Sequence, residues 1–312
     1  MRNIEVLGLR KTRWDFGKVF LSLFLLFIIL FKPLYAQQLD VIQTNEVIIL
    51  FEEPLSFAAK EVINMYTGVK VELEETLQWR LNFRPTVLLV KDRKTFQRMA
   101  GSNLFVAFAV PQKRLVVIDY SKMNTHPFTL RITLKHELCH LLLHHHIRGA
   151  NLPKWLDEGV AQWVSDGIAE IIMDKKQSVL SWATLSGNYI SINELAANFP
   201  EDKKSLFLAY EESKSLVKYI SGNFGRNGIL NILKALKDGY EVDEAILKAL
   251  SISFDELERR WHSHLRKRTA WLTYLASNLY GILFFLAALL TIYGYIRLLI
   301  KKRGKEDDCS FF

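Results

Sequence analysis

The chain has 312 residues, half of them hydrophobic and 24% charged, which excludes a disordered chain and supplies one sizeable core. Two cysteines exclude a disulfide scaffold and a four-cysteine zinc module. A net charge of +8 points to nucleic acid or to an anionic membrane, and the placement of the charges decides between them.

The N-terminus opens with basic residues (Arg2, Arg10, Lys11, Arg13, Lys18), followed by the uncharged run Val19 to Phe31 and by Lys32-Pro33-Leu34-Tyr35-Ala36. A basic stretch, a short apolar stretch and a small final residue predict a secretory signal over 1–36, or an N-terminal anchor if it is not removed. Glu46 to Phe51 reads as a strand, Leu55 to about Leu81 as a helix, and Thr86 to Val90 as a second strand. Asp92 is placed to cap a short helix that Gly101 ends. Phe105 to Val110 and Arg114 to Asp119, separated by Pro111-Gln112-Lys113, predict an antiparallel hairpin. From about Pro127 helices take over: Thr129 to Arg148, Pro153 to Asp166, Ile192 to Asn198, Ser205 to Ser221, Gly228 to Leu236, Val242 to Leu250, and Phe254 onward. Strands first and helices afterwards predict an α+β fold, a mixed or antiparallel sheet followed by a mainly helical half.

Thr269 to Ile296 carries no charged side chain and is long enough to cross a bilayer. Trp271 and Tyr274 stand near one end of it, Tyr293 and Tyr295 near the other, as interfacial anchors do. Arg266-Lys267-Arg268 precede the run; Arg297, Lys301, Lys302, Arg303 and Lys305 follow it, which favours a cytoplasmic C-terminal side. The expected organisation is a signal or anchor over 1–36, an extracytoplasmic domain over 37–268, a transmembrane helix over 269–297 and a short cytoplasmic tail over 298–312. The protein would sit in the cytoplasmic membrane, single-pass, or two-pass if the N-terminal segment stays. Much of the basic charge then meets lipid headgroups, and a nucleic-acid partner is not expected. Cys139 and Cys309 fall on opposite sides of the membrane and cannot pair; Cys139 reads as a small packed hydrophobe.

The chemistry sits in His136-Glu137-Leu138-Cys139-His140, an HExxH sequence within a helical, mostly apolar stretch. Residues four apart share a helix face, so both imidazoles can converge on one Zn2+. Glu137 beside them can take a proton from a water activated there. A third ligand is required, and two arrangements compete. His146 falls at the last position of HExxHxxGxxH, but Leu143 occupies the glycine position and continues the helix, which turns His146 to another side. Glu158 comes from the following helix, PKWLDEGVAQWVSD, whose antiparallel return would bring it back to the pair; Asp157 next door is chemically able. His144 and His145 read as helix-ending residues near the negative pole.

HExxH followed by W-L-x-E-G-x-A-x-W resembles the gluzincin zinc peptidases, in particular the bacterial peptidase MA-like domains. LFEEPLSFAAKEV, TVLLV and RLVVID fit that domain's order, as does Tyr210 in LAYEESKSLVKYISGNFG, so the likeness covers roughly residues 45 to 265. The resemblance implies His136, His140 and Glu158 as ligands of one Zn2+, Glu137 as general base, and Tyr210 as a hydroxyl for the oxyanion. It implies hydrolysis of a peptide or protein substrate by a membrane-anchored zinc metallopeptidase. Thermolysin-like enzymes carry an aspartate four residues after the ligand glutamate; here that position is Gln162, so the ligand histidine's outer partner is different or comes from elsewhere. The Gly-Ala-Met-Glu-Asn segment of aminopeptidase N is absent, which tilts the reading to an endopeptidase, with Phe105 to Val110 as an edge strand for an extended substrate. The alternative is a non-catalytic, membrane-tethered binding or assembly module on a peptidase fold. The oligomeric state is not legible.

Overall fold

The computed structural model describes residues 39–123, 125, 127–147, 152–167 and 179–308; the expected signal or anchor over 1–36 and Cys309 lie outside them. Five strands form one mixed sheet in the order β1-β2-β3-β5-β4. They are β1 (Asp40–Gln43), β2 (Ile48–Phe51), β3 (Thr86–Val90), β4 (Ala107–Val110) and β5 (Leu115–Asp119). β2 and β3 run parallel with Ile48 opposite Thr86, and β3 and β5 run parallel with Thr86 opposite Leu115. β4 is antiparallel to β5, Val110 opposite Leu115, and forms the sheet's edge. The expected hairpin is therefore present, its turn a 3-10 helix at Pro111–Lys113.

Two helices serve the sheet. α1 (Ser56–Leu77) lays Ala58, Ala59, Val62, Tyr66, Val69 and Leu73 into the core, a helical spacing that makes one buried face. α2 (Arg93–Ala100) starts where the Asp92 side chain accepts from the Thr95 N–H and ends at Gly101, whose φ of 66° suits a residue without Cβ. Arg93 at its first position reaches across to the buried Asp119 at 2.7 Å and to the carbonyls of Asn103 and Phe105. That tie fixes the segment leading into β4, which later forms a wall of the site.

The helical half begins with α3 (Leu130–His146), N-capped by the Thr129 hydroxyl, which accepts from the Ile132 N–H. Its residues from Thr133 to Leu143 are nearly all buried, because α3 packs against β4 and β5, α1 and α4 (Lys154–Ser165) at once. An apolar run continuous round the helix is the pattern of such a central helix. Pro153 caps α4 from an extended conformation instead of occupying its first turn, where the sequence pattern had put it. Next come α5 (Val179–Ser186), which the sequence reading did not anticipate, and α6 (Ile192–Ala197). The two helices expected over 205–221 and 228–236 form one element, α7 (Lys203–Lys237), kinked at Gly225 (φ 71°, ψ 174°). α8 (Val242–Leu250) and α9 (Phe254–Ser277) follow, then α10 (Leu279–Asp308).

α4 and α7 approach so closely at Gly159 that a Cβ there would stand 2.6 Å from the Ser213 carbonyl oxygen and 2.5 Å from Val217 Cγ2. The glycine after Glu158 is thus required by helix packing. The architecture is the expected α+β plan. The helix break at Ser277 falls inside the uncharged run, so among the described residues the helix long and apolar enough to cross a membrane is Leu279–Leu298, with a mean hydropathy of 2.0 and no burial against the rest of the protein.

Candidate metal centre

His136, Glu137 and His140 lie in the middle of α3, and all three are buried. α4 returns across them and presents Asp157 and Glu158 near its N-terminus, where the helix dipole favours carboxylates. The Nε2 atoms of His136 and His140 are 3.2 Å apart. Glu158 Oε2 stands 3.7 Å from the first and 3.6 Å from the second. These three atoms form a nearly equilateral triangle. Ligand atoms around tetrahedral zinc, at bonds of about 2.0–2.1 Å, are separated by about 3.4 Å. Glu158 Oε2 is buried and takes part in no hydrogen bond, as suits an atom reserved for a metal. Two imidazoles and one carboxylate are the donor set of a catalytic zinc with an open position. Among the described residues this is the group able to hold a metal ion.

The neighbouring carboxylates divide the work. Glu158 Oε1 accepts from Lys154 Nζ at 2.5 Å, leaving Oε2 to face the imidazoles. Asp157 turns the other way. Its Oδ1 meets His140 Nδ1 at 2.6 Å, and its Oδ2 meets His144 Nε2 at 3.0 Å. Asp157, the rival carboxylate in the sequence, is therefore the outer partner that orients the His140 ring. Gln162, at the position where thermolysin-like enzymes keep that aspartate, instead donates to the Tyr210 carbonyl at 3.1 Å. The group facing His140 Nδ1 is thus the sequence neighbour of Glu158, and only the return of α4 shows it.

Electrostatics agree with a site built for positive charge. Burial disfavours the His140 imidazolium, but the carboxylates of Asp157 and Glu158 outweigh it and lift its pKa to about 9. Burial also works against an ionised Glu158, yet Lys154, His140 and His136 hold its carboxyl well below the usual range. The same contest leaves Asp157 low: burial raises it, and His140 and His144 overcome the burial. Cys139, fully buried among these carboxylates, has its thiol pushed well up by desolvation and stays a packed hydrophobe.

His145 and His146, at the end of α3, turn away from the centre. His146 Nε2 meets the Arg80 carbonyl at 3.0 Å and its ring packs on Trp79, away from the pair, as the unbroken helix required. His145 lies against Phe83. His144, read as a helix-ending residue, also serves Asp157.

The centre opens into a cleft of about 840 Å³. His140, Asp157, Glu158 and Lys154 line it together with Phe105, Phe108 and Ala109 from β4 and the segment before it, and with Phe199, Leu206 and Tyr210. Tyr210 is buried, edge-on to Phe199 with ring centroids 5.1 Å apart. A profile of the peptidase MA superfamily matches residues 102–267, more than half of the chain, from the segment before β4 into α9. The chain belongs to the peptidase MA superfamily. The match begins after β3, so the peptidase MA assignment rests on the edge strand, α3, α4 and the helices behind them. No curated protein is similar enough to the chain to match it.

Proposed function

We propose that this peptidase MA protein is a membrane-anchored zinc metallopeptidase, an endopeptidase acting on extended polypeptide. The observation that carries the reading is the convergence of His136 Nε2, His140 Nε2 and Glu158 Oε2 within 3.2–3.7 Å of one another. His136, His140 and Glu158 would hold one Zn2+. Zinc in such a site supplies Lewis acidity towards a peptide carbonyl and brings the pKa of water to about 7. Glu137, buried on α3 next to His136, would accept the proton of the attacking water and return it to the departing amine. Asp157 keeps His140 oriented, and Lys154 keeps Glu158 turned. Tyr210 on the cleft wall offers its hydroxyl to the developing oxyanion.

β4 is bonded on one side only, to β5, and Phe108 and Ala109 line the cleft. An extended substrate can add to that edge through main-chain hydrogen bonds, which reads sequence weakly and suits an endopeptidase. Leu279–Leu298 would cross the cytoplasmic membrane, with the domain before it outside the cytoplasm and the basic tail inside. The partners are then a peptide or protein substrate and membrane lipid.

The test is metal analysis of the purified full chain together with cleavage of a peptide library, with and without chelator. Glu137→Gln should retain one zinc and lose turnover by about 10²–10⁴-fold. Undiminished cleavage by that variant overturns the base assignment. Stoichiometric zinc with no cleavage of any peptide favours a tethered binding module on the same fold.

A further inference from the structure

Three histidines stand in a row on α3. His136, His140 and His144 are spaced four apart, so they follow one another along a single ridge of the helix. Two consecutive acids of α4 meet that row in step. Glu158 Oε2 stands between the first and second rings, 3.7 Å from His136 Nε2 and 3.6 Å from His140 Nε2. Asp157 joins the second and third, with Oδ1 2.6 Å from His140 Nδ1 and Oδ2 3.0 Å from His144 Nε2.

Each acid has its second oxygen held by a residue that lines the cleft. Glu158 Oε1 accepts from Lys154 Nζ, and Asp157 Oδ2 meets His144. Both acids and His140 are buried, whereas the His144 side chain is 31% exposed. An ionised carboxylate only accepts hydrogen bonds, so His140 Nδ1 and His144 Nε2 each carry a proton towards Asp157. A proton on Nδ1 of a neutral His140 leaves the lone pair on Nε2, the atom that faces Glu158. Two imidazole donors, one to each oxygen, fix the plane of the Asp157 carboxylate. With the His140 bond alone, the group could turn about Cβ–Cγ and take its support of that ring with it. A position near the helix C-terminus does not account for this contact. His145 shares that position and lies against Phe83 instead.

We propose that His144 is a positioning residue for the metal centre. By holding Asp157 Oδ2 it keeps Oδ1 on His140 Nδ1, and so tightens the grip of His136, His140 and Glu158 on a divalent metal. It would do for Asp157 what Lys154 does for Glu158. The inference rests on the zinc reading proposed above. It extends the support of the ligand His140 by one residue, from a buried aspartate to a side chain at the cleft surface.

The experiment uses the full chain in detergent, stripped of metal and titrated with Zn2+ against a chromophoric chelator. His144→Ala should weaken zinc binding about tenfold, the low end of what losing an outer partner costs. His145→Ala, at the same helix end, should leave it unchanged. His144→Gln, whose amide N–H can reach the same oxygen, should recover most of the loss. In an Asp157→Asn background, His144→Ala should weaken binding no further, because its route to the metal is gone. Unchanged affinity in His144→Ala, or an equal loss in His145→Ala, overturns the assignment. So does a glutamine variant as weak as the alanine one, or additive losses in the double variant; each of these leaves the metal centre standing. Absence of stoichiometric zinc in the wild type removes the metal reading, and the role of His144 with it. His144→Phe, a ring without an N–H, repeats the measurement should the alanine variant fold poorly.

Discussion

Glu158 and Glu212 are both buried glutamates on long helices that touch each other, and they end in opposite states. Glu158 stands between Lys154 and two imidazoles, and stays ionised although burial opposes it. Glu212 has the Ile190 N–H at 3.3 Å as the partner of one oxygen, while its Oε2 is buried without a hydrogen bond. Burial, with Glu258 and Glu211 nearby, pushes its pKa up to about 8. Burial alone therefore does not set the charge of an acid; the supply of cationic partners does. Concentrated negative charge at the α3–α4 crossing marks a place for a cation. The neutral acid behind α7 marks a structural joint between α7 and the loop before α6.

The largest break in that contrast should come from Glu158→Ala. Lys154 and the histidine pair would lose their counter-charge, zinc should be lost from the purified protein, and cleavage should fall to background. Retention of stoichiometric zinc would place the third ligand elsewhere. Tyr210→Phe comes next, with turnover lowered by about 10²-fold and zinc retained if its hydroxyl bonds the oxyanion. Unchanged kinetics on a good substrate would return Tyr210 to a packing role. Asp157→Asn keeps the shape and removes the charge facing His140; about 10–100-fold weaker zinc binding is expected from a competition titration.

Glu212→Gln gives the smallest change in activity and the clearest in pH dependence. A carboxyl whose folded pKa lies near 8, against an ordinary 4.5, favours the fold most below pH 4.5. That contribution is lost as pH rises through 8, because the buried group must then ionise. Wild-type melting temperature should fall across that window, and the glutamine variant should fall less. Parallel pH profiles for the two would show that Glu212 is not the group responsible.

How far the sequence carries differs between the two regions. The capped helix between Asp92 and Gly101 and the strand Thr86–Val90 came out with their bounds intact, because capping and short apolar runs are local signals. HExxH was legible for the same reason: its spacing is one helical turn. α5 was missed because an uncharged eight-residue segment has neither a cap nor an inward apolar stripe to announce it. Gly225 falls in the gap between the two helices expected over 205–221 and 228–236 and is a kink, since whether a positive φ ends a helix or bends it depends on what the next segment packs against.

By itself the sequence determined the α+β order, the histidine pair with its glutamate, the glycine after Glu158, and an apolar stretch of membrane length. Only the tertiary structure shows which way Asp157 and Glu158 turn. Adjacent residues on a helix point about 100° apart, so one faces the Nε2 atoms and the other the Nδ1 of the same ring, and that choice depends on how α4 is rotated as it crosses α3. The rotation is set by contacts from distant parts of the chain, chief among them the close approach of Gly159 to Ser213 on α7, and no local pattern encodes it.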